Sequence, residues 1–486
     1  MKNLIIMKKS TYILICAFLT LLSCSQDFIH LMPTSTVTVE YYYKTDKDFL
    51  DALTGAYAPI RNQYRNFYIF GDIRADDSWV EIAKNNDQSY ADRFTLNSGT
   101  GLMNSTWQNY YQAIFRVNTL LEKIESIDVS SIPNRNRYIA EASFIRAFAY
   151  FDLVRIFGDV PAITKSISVL EAYQTPRTLA TTIYNDIIIP DLLIAESALL
   201  ANYSGNDIGR PTAGAAKALL GRVYLTMMDF QKAESKLMEV TSMNYKLVDD
   251  YNALFDYANK HHSEYIFNIE YADGTAEGSP FTNAFMPNFT AMTDFFGISG
   301  YGDEWNSPTR GLYDLFTNDD LRKEISVGIY GGFFDETGTW KPIPTNTSQT
   351  YTKKYITRNP VRNGSQADWK VIRYADVLLM LAESMNENNK TAQAIPYLNE
   401  VRKRAGVDEY PTTMNQSEAR DAIEKERRLE LCFEGLRWFD LVRTGKAFEV
   451  MKDQGMTEYM TVFPIPLSQV QLINDLAILP QNPGYN

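Results

Sequence analysis

The sequence predicts a mainly α fold, with antiparallel helix pairs that stack into an α–α superhelix and support long irregular loops with minor β structure. Three observations predict it. A five-residue block occurs twice, as Phe151-Asp152-Leu153-Val154-Arg155 and as Phe439-Asp440-Leu441-Val442-Arg443, and apolar residues recur at helical spacing around both copies. Two further stretches, 213–240 and 381–406, read as helix–turn–helix pairs, because small residues stand where two helices must touch. Between them lies an insert of roughly one hundred residues, rich in Gly, Pro and aromatics and without a fixed period, which reads as loop.

Composition sets the outer limits. With 486 residues, 45% hydrophobic and 13% aromatic, the chain is globular and long enough for a large core. Its formal charge of −12 repels phosphate backbones, so nucleic acid is excluded as a partner. A surplus of flat faces (31 Tyr, 26 Phe and 6 Trp) suits binding to rings and chains. The three histidines, His30, His261 and His262, have no third ligand at metal-binding spacing, so no metal site is expected. Neither a catalytic nucleophile nor a phosphate-cradling loop is found, and no cofactor is expected.

Taken in order, the chain begins with Lys2, Lys8 and Lys9 and an apolar run from Tyr12 to Leu22. This reads as an export signal too short to span a bilayer. The run ends at Leu21-Leu22-Ser23-Cys24, which resembles the lipobox of bacterial lipoproteins. That resemblance implies a signal peptide over residues 1–23 and lipidation of Cys24. Cys16 is then lost with the signal and Cys432 alone stays free, so no intramolecular disulfide can form. Cys432 reads as a small core residue.

Residues 25–48 read as a tether, and Asp48 to Ile60 as a first helix that Pro59 helps to end. From Arg61 the pattern breaks. Tyr64, Phe67, Tyr68, Phe70, Arg74, Asp76, Asp77 and Trp79 crowd a segment interrupted by Gly71, which makes it a candidate binding loop. Trp107, Tyr110, Tyr111, Ile114, Val117, Leu121 and Ile124 then restore the helical period over 105–125. After Pro133 comes the helix carrying the first repeat block, stopped at Gly158-Asp159-Val160-Pro161. A further helix spans 177–200, disturbed at Pro190.

Leu220-Gly221-x-x-Tyr224 with Ala233, thirteen residues beyond Leu220, resembles a tetratricopeptide helix pair; Leu381-Ala382 with Ala394 repeats the spacing. In the insert, Tyr265, Phe267, Ile269 and Tyr271 alternate as a strand does. Aromatics without a period follow, and within Gly300-Tyr301-Gly302-Asp303-Glu304-Trp305 the rings stand beside Gly and Asp, as exposed binding residues do. The second repeat block predicts a helix with Cys432, Gly435, Leu436, Phe439 and Val442 on one face. Its acids Glu426, Glu430, Glu434 and Asp440 interleave with Arg427, Arg428, Arg437 and Arg443, which reads as a salt-bridged helix surface and not as an acid–base pair. The Pro- and Gly-rich end, from Phe463-Pro464-Ile465-Pro466 to Gln481-Asn482-Pro483-Gly484-Tyr485, reads as an extended tail fastened to the body.

Together these landmarks resemble the SusD/RagB family of surface lipoproteins from Bacteroidetes-type bacteria. The matching pieces are the lipobox at Cys24, Glu141-Ala142-x-Phe144-x-Arg146-Ala147 leading to Pro161, Glu426-Arg427-Arg428-x-Glu430-Leu431 leading to Arg443, and the Pro-Ile-Pro and Gln-Asn-Pro-Gly-Tyr tail. The resemblance implies a single domain over 24–486, with an N-terminal region at about 24–235 and a C-terminal region at about 260–486. Four tetratricopeptide-like pairs are implied as its scaffold. It further implies a non-enzymatic binding protein, lipid-anchored on the outer face of the outer membrane as a lid over a SusC-like TonB-dependent transporter. Most such proteins take up glycans and some take peptides.

Local chemistry then selects the candidate ligand contacts. Trp79, Tyr301 and Trp305 offer rings for the C–H faces of sugars, and Arg74, Asp76 and Asp77 offer partners for hydroxyls. The plainer reading of the last three is that the aspartates pair with Arg74. A secreted glycoside hydrolase is the alternative of a different class; it needs two carboxylates about 5–10 Å apart, drawn from Asp76, Asp77, Asp303 and Glu304.

Overall fold

A computed structural model describes residues 42–80, 86–258, 260–330, 332–334, 337, 339–342 and 349–485. The leader, Cys24 and most of the tether lie outside the described residues. Eleven helices matter for the site: α1 (Asp46–Tyr64), α2 (Gly101–Glu125), α3 (Arg135–Phe157), α4 (Ile189–Ala198), α5 (Ala213–Thr226), α6 (Phe230–Thr241), α7 (Tyr374–Glu387), α8 (Thr391–Arg404), α9 (Gln416–Glu430), α10 (Arg437–Arg443) and α11 (Leu467–Ile473). They pack in order as four pairs, α1 with α2, α3 with α4, α5 with α6 and α7 with α8; each pair leans on the next and α9 lies against α7. This is the tetratricopeptide-like superhelix. At the α5–α6 contact a Cβ on Gly221 would stand 2.6 Å from Leu237, so the small residue sets how close the helices lie.

The prolines act differently from expectation. Pro59 does not end α1, which continues to Tyr64. A proline removes the N–H that would bond the carbonyl four residues back. Here that carbonyl belongs to Gly55, and the Arg116 guanidinium of α2 donates to it instead. Before Pro190 the chain makes a π-helical turn over Tyr184–Ile188 and runs on as α4, so the disturbance is a bulge and not a break.

Strands occur, among the described residues, as five antiparallel two-stranded ribbons. The expected strand is β4 (Tyr265–Ile269), paired with β10 (Trp369–Arg373), and it is almost wholly buried. Of the others, β1 (Ser78–Trp79) pairs with β5 (Ser307–Pro308), β2 (Val160–Pro161) with β3 (Arg177–Thr178), β6 (Val327–Tyr330) with β9 (Gln349–Thr352), and β7 (Gly332–Phe334) with β8 (Trp340–Pro342).

The first repeat block lies inside α3 as predicted. The second does not form one helix: the chain leaves α9 at Glu430, turns through Phe433 (φ 64°) and Gly435 (φ 75°), and re-enters a helix only at Arg437. The turn brings two backbones together, since a Cβ on Gly71 would fall 2.2 Å from the Gly435 carbonyl oxygen. The two blocks meet in the core, where the Arg155 guanidinium lies 4.0 Å from the Phe151 ring centroid and 4.2 Å from that of Phe439. Asp152 accepts from the Tyr64 hydroxyl of α1 at 2.9 Å and the Tyr110 hydroxyl of α2 at 2.8 Å, and so pins three helices at one carboxylate.

Three of the four acids expected on a helix surface are instead buried, while Asp440 stays half-buried and pairs with Arg427 and Arg443. Glu426, Glu430 and Glu434 join Glu264 and Asp320 in an internal network with Arg322, Arg373, Arg402, Arg404 and Lys354. Five carboxylates meet five cations, so the cluster is neutral as a unit. The i, i+4, i+8 spacing faces arginines and a lysine that arrive mostly from the insert and from α8, partners that no local pattern reveals.

Candidate functional site

Residues 61–79 turn out to be mostly core. Phe67, Tyr68, Phe70 and Ile73 are all buried, in and around a π-helical turn at Ile69–Ile73. Beyond that turn the chain surfaces at β1. Trp79 is 37% exposed, and its strand partner is Ser307. Further bonds stitch β1 to the second candidate segment. The Ser78 hydroxyl donates to Asn306 Oδ1 at 2.6 Å, while Thr309 donates from its N–H to the Asp77 carbonyl and from its hydroxyl to the Asp76 carbonyl, both at 2.9 Å. The first candidate region is therefore tied to the residues that directly follow the second, over two hundred residues away in sequence.

The segment 300–306 is held in a shape that costs energy. Gly300, Glu304 and Asn306 have φ of 83°, 58° and 56°, and for the two non-glycines a left-handed backbone costs of order 1 kcal/mol each. Pairing with 283–286 over-determines it: the N–H groups of Asp303, Glu304 and Trp305 donate to Asn283, Met286 and Ala284 at 2.8, 3.1 and 2.8 Å. Gly302 permits this, since a Cβ there would lie 2.0 Å from the Met286 carbonyl oxygen.

Tyr301 is 56% exposed at the crest of this loop. Arg362 lies 4.3 Å from its ring centroid and clamps the Asp303 carboxylate through Nη2 at 2.8 and 2.9 Å. One ring face thus rests on a fixed cation. Trp305 is half-buried against the core, and its indole Nε1 is enclosed without a hydrogen-bond partner. Glu304 is buried and accepts from the Asn288 N–H at 3.0 Å.

The three polar candidates face inward. Arg74 is 1% exposed, with its guanidinium 3.9 Å from the Phe94 ring centroid and 4.9 Å from that of Phe463, and burial pulls it down to about 10. Asp76 and Asp77 pair not with Arg74 but with arginines of α9 and α10. Arg437 donates to Asp76 at 2.7 and 3.1 Å, and Arg428 bridges both aspartates. Burial opposes charge on Asp76, yet Arg437 and Arg428 outweigh it and hold the carboxyl below its usual range. Asp77 is more enclosed: burial pushes it up to about 6, aided by the Asp76 charge and opposed by Arg428 and Arg437. Asp76, Asp77, Asp303 and Glu304 are thus all engaged within the protein, and no two of them stand open across a cleft.

The surface group that reasoning from sequence missed is Arg362. It sits in a turn-rich stretch, Asn359-Pro360-Val361-Arg362-Asn363-Gly364, where no periodicity marks it as a partner of Tyr301. Neighbouring Asn359 Oδ1 and Asn363 Oδ1 are enclosed without hydrogen-bond partners, like the indole of Trp305. The arrangement offers two exposed aromatic surfaces, one on a strand and one on a strained loop, together with a paired cation, which is the equipment of a binding platform.

Comparison with known proteins matches residues 263–485 to the model of the SusD family, and residues 27–225 to a model described as starch-binding associating with outer membrane. SusD-like protein P2 of Formosa agariphila is 28% identical across 99% of this chain and all of its own length. Among solved structures, a laminarin binding SusD-like protein superposes with a TM-score of 0.78 at 30% identity, covering 91% of this chain and 100% of its own. A SusD superfamily protein from Bacteroides vulgatus superposes with a TM-score of 0.75 at 26% identity, covering 88% and 97%.

Proposed function

The chain belongs to the SusD family, and from that premise we propose that it captures a glycan at the outer membrane and hands it, uncleaved, to a SusC-like TonB-dependent transporter. The observation that carries the proposal is the pair of exposed aromatics, Trp79 in a ribbon with Ser307, and Tyr301 on the strained loop that leads into that ribbon. Ring faces of this kind stack on the C–H faces of pyranoses, and the Arg362–Asp303 clamp keeps the Tyr301 face in place. A binding protein needs such a platform and no activated group, and the four carboxylates a hydrolase would draw on are engaged elsewhere. Trp79 and Tyr301 are accordingly the ligand contacts we assign first. Trp305 acts from beneath, while Arg74, Asp76 and Asp77 support the loop from inside. Lipidation at Cys24 would supply the anchor that holds the receptor beside its transporter. The laminarin-binding relative makes a β-glucan the first ligand to try.

Calorimetric titration with laminarihexaose, maltohexaose and a set of short peptides tests this reading. Binding of a glycan, weakened about tenfold (~1.4 kcal/mol) by Trp79→Ala or Tyr301→Ala and unaccompanied by reducing-sugar release, is the expected result. Peptide binding indifferent to both substitutions would move the protein to the peptide-binding variant of this architecture. Release of shorter sugars would overturn the non-enzymatic reading.

A further inference from the structure

A second groove lies away from this ribbon, where α2, the segment 161–173 and the C-terminal tail come together around a cavity of about 520 Å³. That is within the usual range for ligand sites. Trp107, Gln108, Tyr111 and Gln112 line one side; they stand at i, i+1, i+4 and i+5 and therefore form a patch on one face of α2. From the other two segments come Tyr173 and Gln469, beside the apolar Pro161, Ile163, Leu472 and Leu479. No lining residue carries a charge, although the chain as a whole is strongly acidic.

The lining is also fixed in place. The Trp107 and Tyr111 rings pack with centroids 4.9 Å apart, and the Tyr111 hydroxyl donates to the Pro161 carbonyl at 2.8 Å. Arg177 clasps the tail, donating from its N–H to the Ile478 carbonyl at 3.2 Å and from Nη1 to the Pro480 carbonyl at 2.9 Å. On α11, Ser468 donates to Asn104 of α2 at 2.6 Å. Three segments distant in sequence thus make a groove that need not be ordered on binding.

We propose that this groove is a second binding site, for a neutral glycan segment. The inference rests on the glycan-receptor reading above but uses none of its residues. Primary amides donate and accept at once, as sugar hydroxyls do, and the half-buried faces of Tyr111 and Tyr173 suit pyranose C–H groups. An apolar partner would dry Gln108, Gln112 and Gln469 without replacing their hydrogen bonds, at about 1–3 kcal/mol for each buried group left unpaired. A charged partner would meet no countercharge. By contrast, the cavity beside Arg427 and Arg437 is lined by acids and bases that already satisfy one another, and it makes no such demand.

Hydrogen exchange of the purified protein, with and without saturating laminarihexaose or maltohexaose, tests the groove alongside calorimetric stoichiometry. Slower exchange is expected in 168–175 and 467–473 as well as in 299–306, with two ligands bound per chain. Tyr173→Ala with Gln112→Ala should abolish the first two protections and reduce the stoichiometry to one, whereas Tyr173→Phe should keep both. Protection confined to 299–306, with one ligand per chain, overturns the second site and leaves the first. Protection confined to the groove upholds the second site and overturns the first. No protection anywhere with either sugar overturns both.

Discussion

Arg373 and Arg362 both hold carboxylates, but they belong to two different regions of the molecule. Arg373 is buried on β10 and donates to Glu434 at 2.8 and 2.9 Å, to Glu430 at 2.9 Å and also to Glu264. Arg362 has a side chain 34% exposed, holds Asp303, and lends its flat face to Tyr301. The first pairing lies in low dielectric among several partners, where loss of one charge strands the others. The second is screened by water and can be lost with little effect on folding. Charge in the framework fixes structure, and charge on the loops orients a surface.

The sharpest way to break this contrast is Arg373→Ala. Removing one partner of a buried ionic cluster typically costs about 3–5 kcal/mol, because uncompensated charge stays inside. Urea unfolding should show a loss of that size, without a matching loss in glycan affinity for whatever fraction remains folded. A loss below about 1 kcal/mol would mean that water reaches the cluster, and the two regions would then differ in degree only.

The same contrast explains what was legible in the sequence. Helix pairs were legible because Gly221, Ala233 and Ala394 carry a local signal, and the 3.6-residue period of α2 depends on nothing outside α2. The buried network was not. Its acids on α9 have the spacing of a solvated face, and only tertiary contact with Arg322, Arg373 and Lys354 shows that the face is covered. The turn at Phe433–Gly435 was hidden because the helical spacing continues through it; the chain turns so that Gly435 can meet Gly71 and donate its N–H to Asp72 at 2.8 Å. At the candidate site, neighbouring Gly and Asp marked Tyr301 as exposed, but the same cue misled for Trp305, whose ring is half-buried against the core. Burial of Arg74 did not, because an arginine among aromatics has the same letters whether it lies above or beneath them. The groove around Tyr173 draws on three distant segments, and no single stretch announces it.

Asp72 tests the framework at a carboxyl held by hydrogen bonds instead of cations. It accepts from Gly435 N–H and, at 3.4 Å, from Asn306 Nδ2, but burial outweighs both and pushes it up to about 8. In the unfolded chain an aspartate titrates near 3.9. The folded state therefore holds a proton that the unfolded state has released. This contribution to stability is complete below about pH 4 and is lost as pH rises towards 8. Asp72→Asn keeps an acceptor for Gly435 and removes the titration, so its stability should fall less between pH 5 and pH 8 than that of the wild type. Equal slopes in urea unfolding across that range would assign the pH dependence to other raised carboxyls, of which Glu270, pushed to about 7 by burial, is the first to consider.

The smallest expected effect on folding, and the most informative for function, is that of Arg362→Ala. A partly exposed ion pair contributes about 0–1 kcal/mol, so the unfolding midpoint should hardly move. Yet the substitution removes the support behind the Tyr301 ring and the two-pronged grip on Asp303. Glycan affinity should fall several-fold, and Arg362→Lys should not restore it, since an ammonium lacks the planar face and the two-pronged grip. Full rescue by lysine would show that charge alone suffices. The loop arginine would then work as a framework arginine does, and the distinction between the two regions would fail where it bears on binding.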